Sequence, residues 1–151
     1  MIVLSEGSLN DLLIVMEIMT EAFSPEFGES WNENQCRSML SLPGTKLILA
    51  QTNQDYCGFI ISRTVLDEEE LLMIAVSPGY QKKGLGRILL KKLIENARNR
   101  GITSIFLEVR STNKAQILYG KFGFQKIGFR KAYYTGNDAQ KFDAISYRLD
   151  L

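Results

Sequence analysis

Residues 76–87 read VSPGYQKKGLGR and join two segments that differ in the period of their apolar residues. Residues 71–76, before the join, form a continuous apolar run that is typical of a buried strand. The segment after it has a helical period, carried by Leu85, Ile88, Leu89, Leu93 and Ala97. Residues 102–109 are again strand-like. Strand, helix and strand in this order predict a parallel strand pair joined by a crossover helix.

The remaining segments predict three further helices and several antiparallel strands. Capping boxes at Ser8 and Ser30 begin two of the helices, and the second of these ends before Pro43. The third lies at residues 114–121. Strand-like runs occupy residues 46–51, 56–65, 126–134 and 144–149, and a further short strand fits at the very start. Two connections are predicted, a hairpin turn at residues 53–55 and a solvated acidic link at residues 67–70.

These elements place the chain in the α/β (α+β) class. We expect residues 1–151 to form one domain, with a mixed and mostly antiparallel sheet, a central parallel strand pair and about four flanking helices. A length of 151 residues and an apolar content of 45% suit one packed core. The first helix is predicted to face this core with Leu9, Leu12, Leu13, Met16, Met19 and Phe23.

The absence of histidine restricts the chemistry that this chain can perform. Nucleophilic pairs of the Ser-His or Cys-His type are excluded. We expect no metal site, because carboxylates and the two separated thiols of Cys36 and Cys57 are a poor zinc ligand set. Acid–base catalysis must therefore come from Glu, Asp, Tyr or Lys side chains, or from the substrate.

The sequence also restricts location and partners. Its start lacks a basic segment followed by a long apolar run, and no stretch has the apolar length of a membrane span. With two isolated cysteines, this predicts a soluble cytoplasmic protein with no membrane partner. A net charge of +1 argues against direct binding of nucleic acid.

The charge is unevenly divided along the chain. Residues 1–70 contain 3 Lys+Arg and 12 Asp+Glu, a net charge of −9, whereas residues 71–151 contain 15 and 5, a net charge of +10. Such asymmetry suggests two partners of opposite charge. The alternative is that both signs mix on the folded surface.

Residues 82–87 have the composition of an anion-binding turn. Gly84 and Gly86 allow a ligand to approach the backbone, and the first N–H groups of the following helix lack intrahelical partners. Positive charge comes from Lys82, Lys83 and Arg87, so a pyrophosphate is the expected ligand. A Walker loop does not fit, and the dinucleotide fingerprint would require glycine where Leu89 stands. Taken alone, the turn could equally be a simple strand-to-helix connection.

The Gln-x-x-Gly-x-Gly pattern of residues 81–86, after a strand ending Ile74-Ala75-Val76, resembles motif A of the GNAT family of N-acetyltransferases. In that family the loop binds the pyrophosphate of coenzyme A, and the strand pairs with its pantetheine arm. The resemblance therefore implies acetyl-CoA as cosubstrate. The contacts it implies are Ile74, Ala75, Val76, Lys82, Lys83, Gly84, Leu85, Gly86 and Arg87.

A second block, residues 107–124, carries the same resemblance. Leu-Glu-Val-Arg at 107–110 is followed by Asn113, by Tyr119 and by Gly-Phe at 123–124, in the order of the family. The resemblance implies Asn113 as a coenzyme contact, although the segment from Asn113 to Tyr119 is one residue shorter than the family pattern. It is strongest to the branch that acetylates the N-terminal alanine of a small-subunit ribosomal protein. That branch implies the N-terminus of a basic ribosomal protein as the partner.

The resemblance also implies catalytic roles. Glu108 matches the base that deprotonates the amine, and Tyr119 matches the acid that protonates the departing thiolate. The backbone N–H of Val76 is a candidate donor to the oxyanion. Acetyl transfer is expected to be direct, without an acetyl-enzyme. The acidic run at residues 67–70 is a candidate rim that attracts a basic peptide, and a solvated charge run is its alternative.

Two other functions stay open at the level of sequence. The first is a GNAT acetyltransferase that acts on a lysine side chain or a small-molecule amine. The second is a non-catalytic sensor that binds acetyl-CoA, against which the presence of Glu108 and Tyr119 argues.

Overall fold

A seven-stranded sheet forms the centre of the computed structural model, which describes residues 1–24, 27–53 and 55–151. Its strand order is β1-β2-β3-β4-β5-β7-β6. The strands are β1 (Ile2–Gly7), β2 (Thr45–Thr52), β3 (Asp55–Val65), β4 (Glu68–Val76), β5 (Ser104–Arg110), β6 (Gln125–Thr135) and β7 (Lys141–Asp150). The helices are α1 (Leu12–Ala22), α2 (Glu33–Ser41), α3 (Leu85–Asn99) and α4 (Ala115–Lys121).

The predicted fold class is confirmed. Strands β4 and β5 pair in parallel, and α3 connects them, while the other neighbouring strands pair antiparallel. The short N-terminal strand is present as β1. The predicted turn at residues 53–55 includes Gln54, which lies outside the described residues. None of the helices in the described ranges has the length and apolar composition needed to cross a bilayer.

Helices pack against both faces of the sheet through apolar side chains. Helix α3 covers one face with Leu85, Leu89, Leu90, Leu93, Ile94 and Ala97. Helices α1 and α2 cover part of the other face. After α3 the chain turns at Gly101, whose φ of +78° is a conformation that favours glycine.

Two details of the predicted helices are wrong. Of the residues predicted to face the core from the first helix, Leu12 and Met19 are buried and Met16 and Phe23 pack against the core, whereas Leu13 is 73% exposed and Leu9 is 38% exposed. Val15 and Ile18, which were not predicted, are buried. The segment is apolar on nearly every side, so its period alone could not select the buried face. In addition, α2 begins two residues later than predicted, because Asn32 and Gln35 form the capping box.

The predicted acidic link at residues 67–70 is only partly right: Asp67, Glu68 and Glu70 are exposed, but β4 begins at Glu68. Glu69 is fully buried. Both of its carboxylate oxygens accept hydrogen bonds from Nη2 of Arg100, at 2.7 and 2.8 Å, and Thr64 Oγ1 donates to Oε1 at 2.6 Å. Glu69 is therefore part of the interior and cannot belong to an acidic rim.

We expect Arg100→Ala to lower the free energy of unfolding by about 3 kcal/mol, because it leaves the buried Glu69 carboxylate without its cation. Urea denaturation measures this change. Arg37→Ala is the matched control, since its ion pair with Glu33 is about half exposed on both sides and should contribute less than about 0.5 kcal/mol. Equal losses in the two variants would contradict a structural role for the Glu69–Arg100 pair.

Candidate active site

The central feature of the candidate site is the divergence of β4 and β5. The two strands are paired only over Glu68–Glu70 and Ser104–Phe106, and beyond these residues they separate. A cleft of about 710 Å³ lies at this opening, and residues 70–76 and 108–110 line it. Residues from the α1–α2 segment, α4 and β6 close its sides. The parallel pair predicted from the sequence is therefore the place where the sheet opens.

The backbone of β4 turns polar groups toward this opening. Ser77 N–H donates to Cys57 O on β3 at 2.9 Å, and backbone groups alternate in direction along a strand. The backbone N–H and C=O groups of Ile74 and Val76 therefore point away from β3 and into the cleft. The Val76 carbonyl accepts a hydrogen bond from Gln81 Nε2 at 2.9 Å. Ala75 lines the cleft through its backbone, because its side chain packs in the core on the α1 side.

The glycine turn meets the cleft at the N-terminus of α3. Gly84 has a φ of +82° and precedes the helix, and Gly86 lines the cleft. The first intrahelical hydrogen bond joins Ile88 N–H to Gly84 O at 3.1 Å. Within the described ranges, no residue accepts a well-aligned hydrogen bond from the N–H groups of residues 82–87. This turn therefore presents a set of amides that an anion can occupy.

The side chains of the turn differ in what they can offer. Leu85 is buried in the core, so only its amide is available to a ligand. Lys82, Lys83 and Arg87 are exposed at the mouth of the turn. Lys83 Nζ lies 5.9 Å from the centroid of the Tyr80 ring. The exposed side chains of Lys82, Lys83 and Arg87 add positive charge next to these amides in the chain.

Glu108 lies in the wall of the cleft on β5. Its side chain is 25% exposed, and Oε1 lies 3.2 Å from Nη2 of Arg130. Oε2 is buried, and no described residue forms a hydrogen bond with it. One oxygen of this carboxylate is thus oriented by a cation, and the other keeps its lone pairs for a ligand.

Tyr119 lies on α4 and also lines the cleft. It is buried, and its ring lies 5.7 Å from the ring of Phe124 and 6.2 Å from that of Tyr147. Burial, and to a smaller extent the carboxylate of Glu29, raises the pKa of Tyr119 well above the ordinary tyrosine value. The phenol therefore stays protonated at neutral pH.

Asn113 lines the cleft, but protein groups already hold its side chain. Oδ1 accepts from Ala115 N–H at 2.9 Å at the start of α4, and Nδ2 donates to Glu29 Oε2 at 3.1 Å. The shortened segment between Asn113 and Tyr119 thus uses Asn113 to begin the helix. Its side-chain amide is a structural group in this arrangement.

The sequence did not reveal the ion pair between Glu29 and Arg110. Arg110 Nε donates to Glu29 Oε1 at 2.8 Å, both side chains are largely buried, and the guanidinium stacks 3.7 Å from the centroid of the Phe27 ring. This pair ties the segment between α1 and α2 to the end of β5. No local pattern could have predicted it, because the two partners lie 81 residues apart.

Tyr134 of β6 is a further cleft residue that the sequence did not single out as part of the site. Its hydroxyl lies 3.5 Å from the backbone carbonyl of Glu108. Burial and the nearby carboxylates of Glu29 and Glu108 raise the pKa of Tyr134 well above its usual range. The cleft therefore contains two tyrosines that remain protonated at neutral pH.

Comparison with known proteins shows that this chain is similar to acetyltransferases. The sequence pattern of the Acetyltransferase (GNAT) family matches residues 12–124. The ribosomal protein bS18-alanine N-acetyltransferase of Haemophilus influenzae is 46% identical over 93 residues, which cover 62% of this chain and 64% of that protein. The protein of the same name from Escherichia coli K12 is 39% identical over 124 residues, 80% of this chain and 81% of that one.

A solved structure extends the likeness to nearly the whole chain. The crystal structure of the ribosomal-protein-alanine N-acetyltransferase from Escherichia coli superposes with a TM-score of 0.90 at 34% identity. The superposition covers 99% of this chain and 94% of that one.

We expect Arg87→Glu to weaken the binding of coenzyme A roughly tenfold at low salt, because it places a negative charge in the first turn of α3. Isothermal titration calorimetry measures the dissociation constant. Lys92→Glu is the control, since Lys92 is exposed on the same helix and makes the same change in net charge away from the N-terminus. The difference between the two variants should shrink as salt is added. Equal weakening by both would indicate a general charge effect and not a local anion site.

Proposed function

This chain belongs to the GNAT family of acetyltransferases, and we propose that it transfers the acetyl group of acetyl-CoA to the N-terminal α-amine of a protein. The proposed acceptor is the N-terminal alanine of a basic small-subunit ribosomal protein. Two relatives that align with 62% and 80% of the chain are ribosomal protein bS18-alanine N-acetyltransferases, which supports this acceptor.

The proposal that acetyl-CoA binds in this cleft rests on one observation. Free amides at residues 82–87 lie at the mouth of an opening whose β4 edge is lined by the backbone groups of Ile74 and Val76. In the proposed complex the pyrophosphate occupies the amides of the turn, and the exposed cations of Lys82, Lys83 and Arg87 neutralise its charge. The pantetheine arm has amide groups of its own, so it replaces the missing strand partner along β4.

Glu108 is the proposed base. A free α-amine has a pKa of about 7.7–8.0, so most of it is protonated at neutral pH and cannot attack a thioester. The unpartnered Oε2 of Glu108 can accept the proton, directly or through one water molecule. Arg130 holds the other oxygen and so limits the rotation of the carboxylate.

Tyr119 is the proposed group that acts on the leaving thiolate, and the N–H of Val76 is a proposed donor to the oxyanion. A thiol has a pKa of about 8.5, and Tyr119 has a raised pKa. Complete proton transfer from this phenol to the thiolate is therefore uphill. We expect Tyr119 to stabilise the developing charge chiefly by donating a hydrogen bond.

The proposed transfer is direct, in a ternary complex. Both cysteines are buried, and burial raises the pKa of the Cys36 thiol to about 11. The pKa of Cys57 is raised too, by burial and then by Asp55. Neither thiol is an activated nucleophile.

A panel of acceptors tests this proposal. It contains an Ala-Arg peptide with a free N-terminus, the same peptide with a blocked N-terminus and an internal lysine, and small amines, each with acetyl-CoA. Mass spectrometry of the products should find the acetyl group only on the free N-terminus. Acetylated lysine would contradict the proposed acceptor, and coenzyme binding without any turnover would contradict catalysis.

We expect Glu108→Gln to lower kcat by roughly 10²–10⁴-fold, the range for loss of one general base. The affinity for coenzyme A should stay unchanged, because the glycine turn is intact. Stopped-time assays and calorimetry measure the two quantities. A loss of coenzyme affinity as large as the loss of kcat would show that Glu108 has a structural role.

The pH dependence of kcat tests whether the phenol of Tyr119 stays protonated. Because the pKa of Tyr119 is raised, its phenol should stay protonated up to at least about pH 10, the ordinary tyrosine value, so it should cause no alkaline decline below that pH. Tyr119→Phe should lower kcat and leave the shape of the profile unchanged. An alkaline decline below this pH that disappears in Tyr119→Phe would contradict this assignment.

A further inference from the structure

Glu70 is a carboxylate in the cleft that the proposed chemistry does not use. It lies on β4 at the last residue pair before the two strands separate, opposite Phe106 of β5. Side chains alternate along a strand, and Glu69 points toward the α3 side, where Arg100 holds it. Glu70 therefore points to the other face, which it shares with Phe106 and Glu108.

The charged side chains that line the cleft do not balance. Among the described residues they are Glu29, Glu70, Glu108, Arg110 and Arg130. Arg110 pairs with Glu29 and Arg130 pairs with Glu108, so each guanidinium already has a carboxylate. No ion pair or hydrogen bond to the carboxylate of Glu70 occurs within the described part of the chain.

The cross-strand neighbour of Glu70 does not supply the missing cation. Arg63 of β3 lies opposite Glu70, but its Nε donates to the carbonyl of Pro43 at 3.2 Å. Burial, and then the negative charge of Glu108, raises the pKa of Glu70, while Arg63 and Arg130 oppose this shift. The Glu70 carboxylate is exposed at the cleft and has no ion-pair partner among the described residues, so a cationic side chain of a ligand can reach it.

We propose that Glu70 is a specificity-determining residue that binds the cationic side chain of the second residue of the acceptor, an arginine or a lysine. This inference rests on the proposed function, in which the α-amine of the first residue lies at Glu108. Glu108 lies two residues beyond Phe106, the cross-strand partner of Glu70, which is about 6.6 Å along β5. Adjacent residues of a peptide have Cα atoms about 3.8 Å apart, so a long side chain at the second position reaches Glu70.

A set of peptides that differ only at the second residue tests the proposal. Peptides with the starts Ala-Arg, Ala-Ala and Ala-Glu share one neutral continuation, and kcat/KM is measured for each. The wild type should prefer Ala-Arg over Ala-Ala by roughly tenfold, the effect of one charge-assisted hydrogen bond. Glu70→Gln should remove this preference, so that the ratio of kcat/KM for Ala-Arg to kcat/KM for Ala-Ala falls to about one.

Two further variants test whether the charge of Glu70 sets the preference. Glu70→Lys should reverse the order, so that Ala-Glu becomes a better acceptor than Ala-Arg. Glu68→Gln is the control, because Glu68 is exposed on the same strand and does not line the cleft. It should keep the wild-type preference.

The outcomes separate this inference from the proposed function. An unchanged preference in Glu70→Gln would overturn the role of Glu70, while acetylation of Ala-Ala would still support the proposed function. A similar loss of kcat for all peptides in Glu70→Gln would also overturn it, because Glu70 would then act in the chemistry. If the wild type bound coenzyme A and acetylated none of the peptides, the proposed function and this inference would fall together.

Discussion

The structure depends on the incomplete pairing of its two central parallel strands. A buried backbone amide or carbonyl without a partner costs free energy, so a sheet rarely opens at its centre. Here β4 and β5 share only three residue pairs and then diverge, which leaves backbone groups of β4 facing a cleft. An extended ligand with amides of its own can satisfy them. In the proposed complex, the opening of the sheet is where the arm of the coenzyme lies, in an extended shape.

The elements around this opening supply two different environments. On the α3 side, the free amides of the glycine turn and three exposed cations favour a polyanion. On the opposite side, carboxylates and tyrosines line the cleft, which favours an amine. Ion pairs inside the fold neutralise part of the charge difference between the two halves of the chain. Glu69–Arg100 and Glu29–Arg110 each join a carboxylate of the acidic half to a guanidinium of the basic half.

Prediction from the sequence succeeded where the signal was local. The helical period after Leu85 and the glycines of the turn predicted α3 and its N-terminus, because neighbouring residues determine both features. It was only partly right at residues 68–70, where three successive glutamates resemble a solvated link. Arg100, distant in sequence, compensates Glu69 and allows β4 to begin there. It was also only partly right about the buried face of α1, whose apolar residues cover more than one face.

The sequence by itself determined the mixed sheet and the parallel pair, because these follow from periodicity within short segments. It suggested an anion-binding turn through its glycines and cations, and it pointed to Glu108 and Tyr119 only through the resemblance to the GNAT family. Only the tertiary structure decided which groups are free to act. It holds Asn113 at the start of α4, buries Glu69, pairs Arg110 with Glu29 and leaves one oxygen of Glu108 without a partner. The physical reason is that hydrogen bonds and ion pairs depend on distances in space, and residues more than eighty positions apart meet only when the sheet has formed.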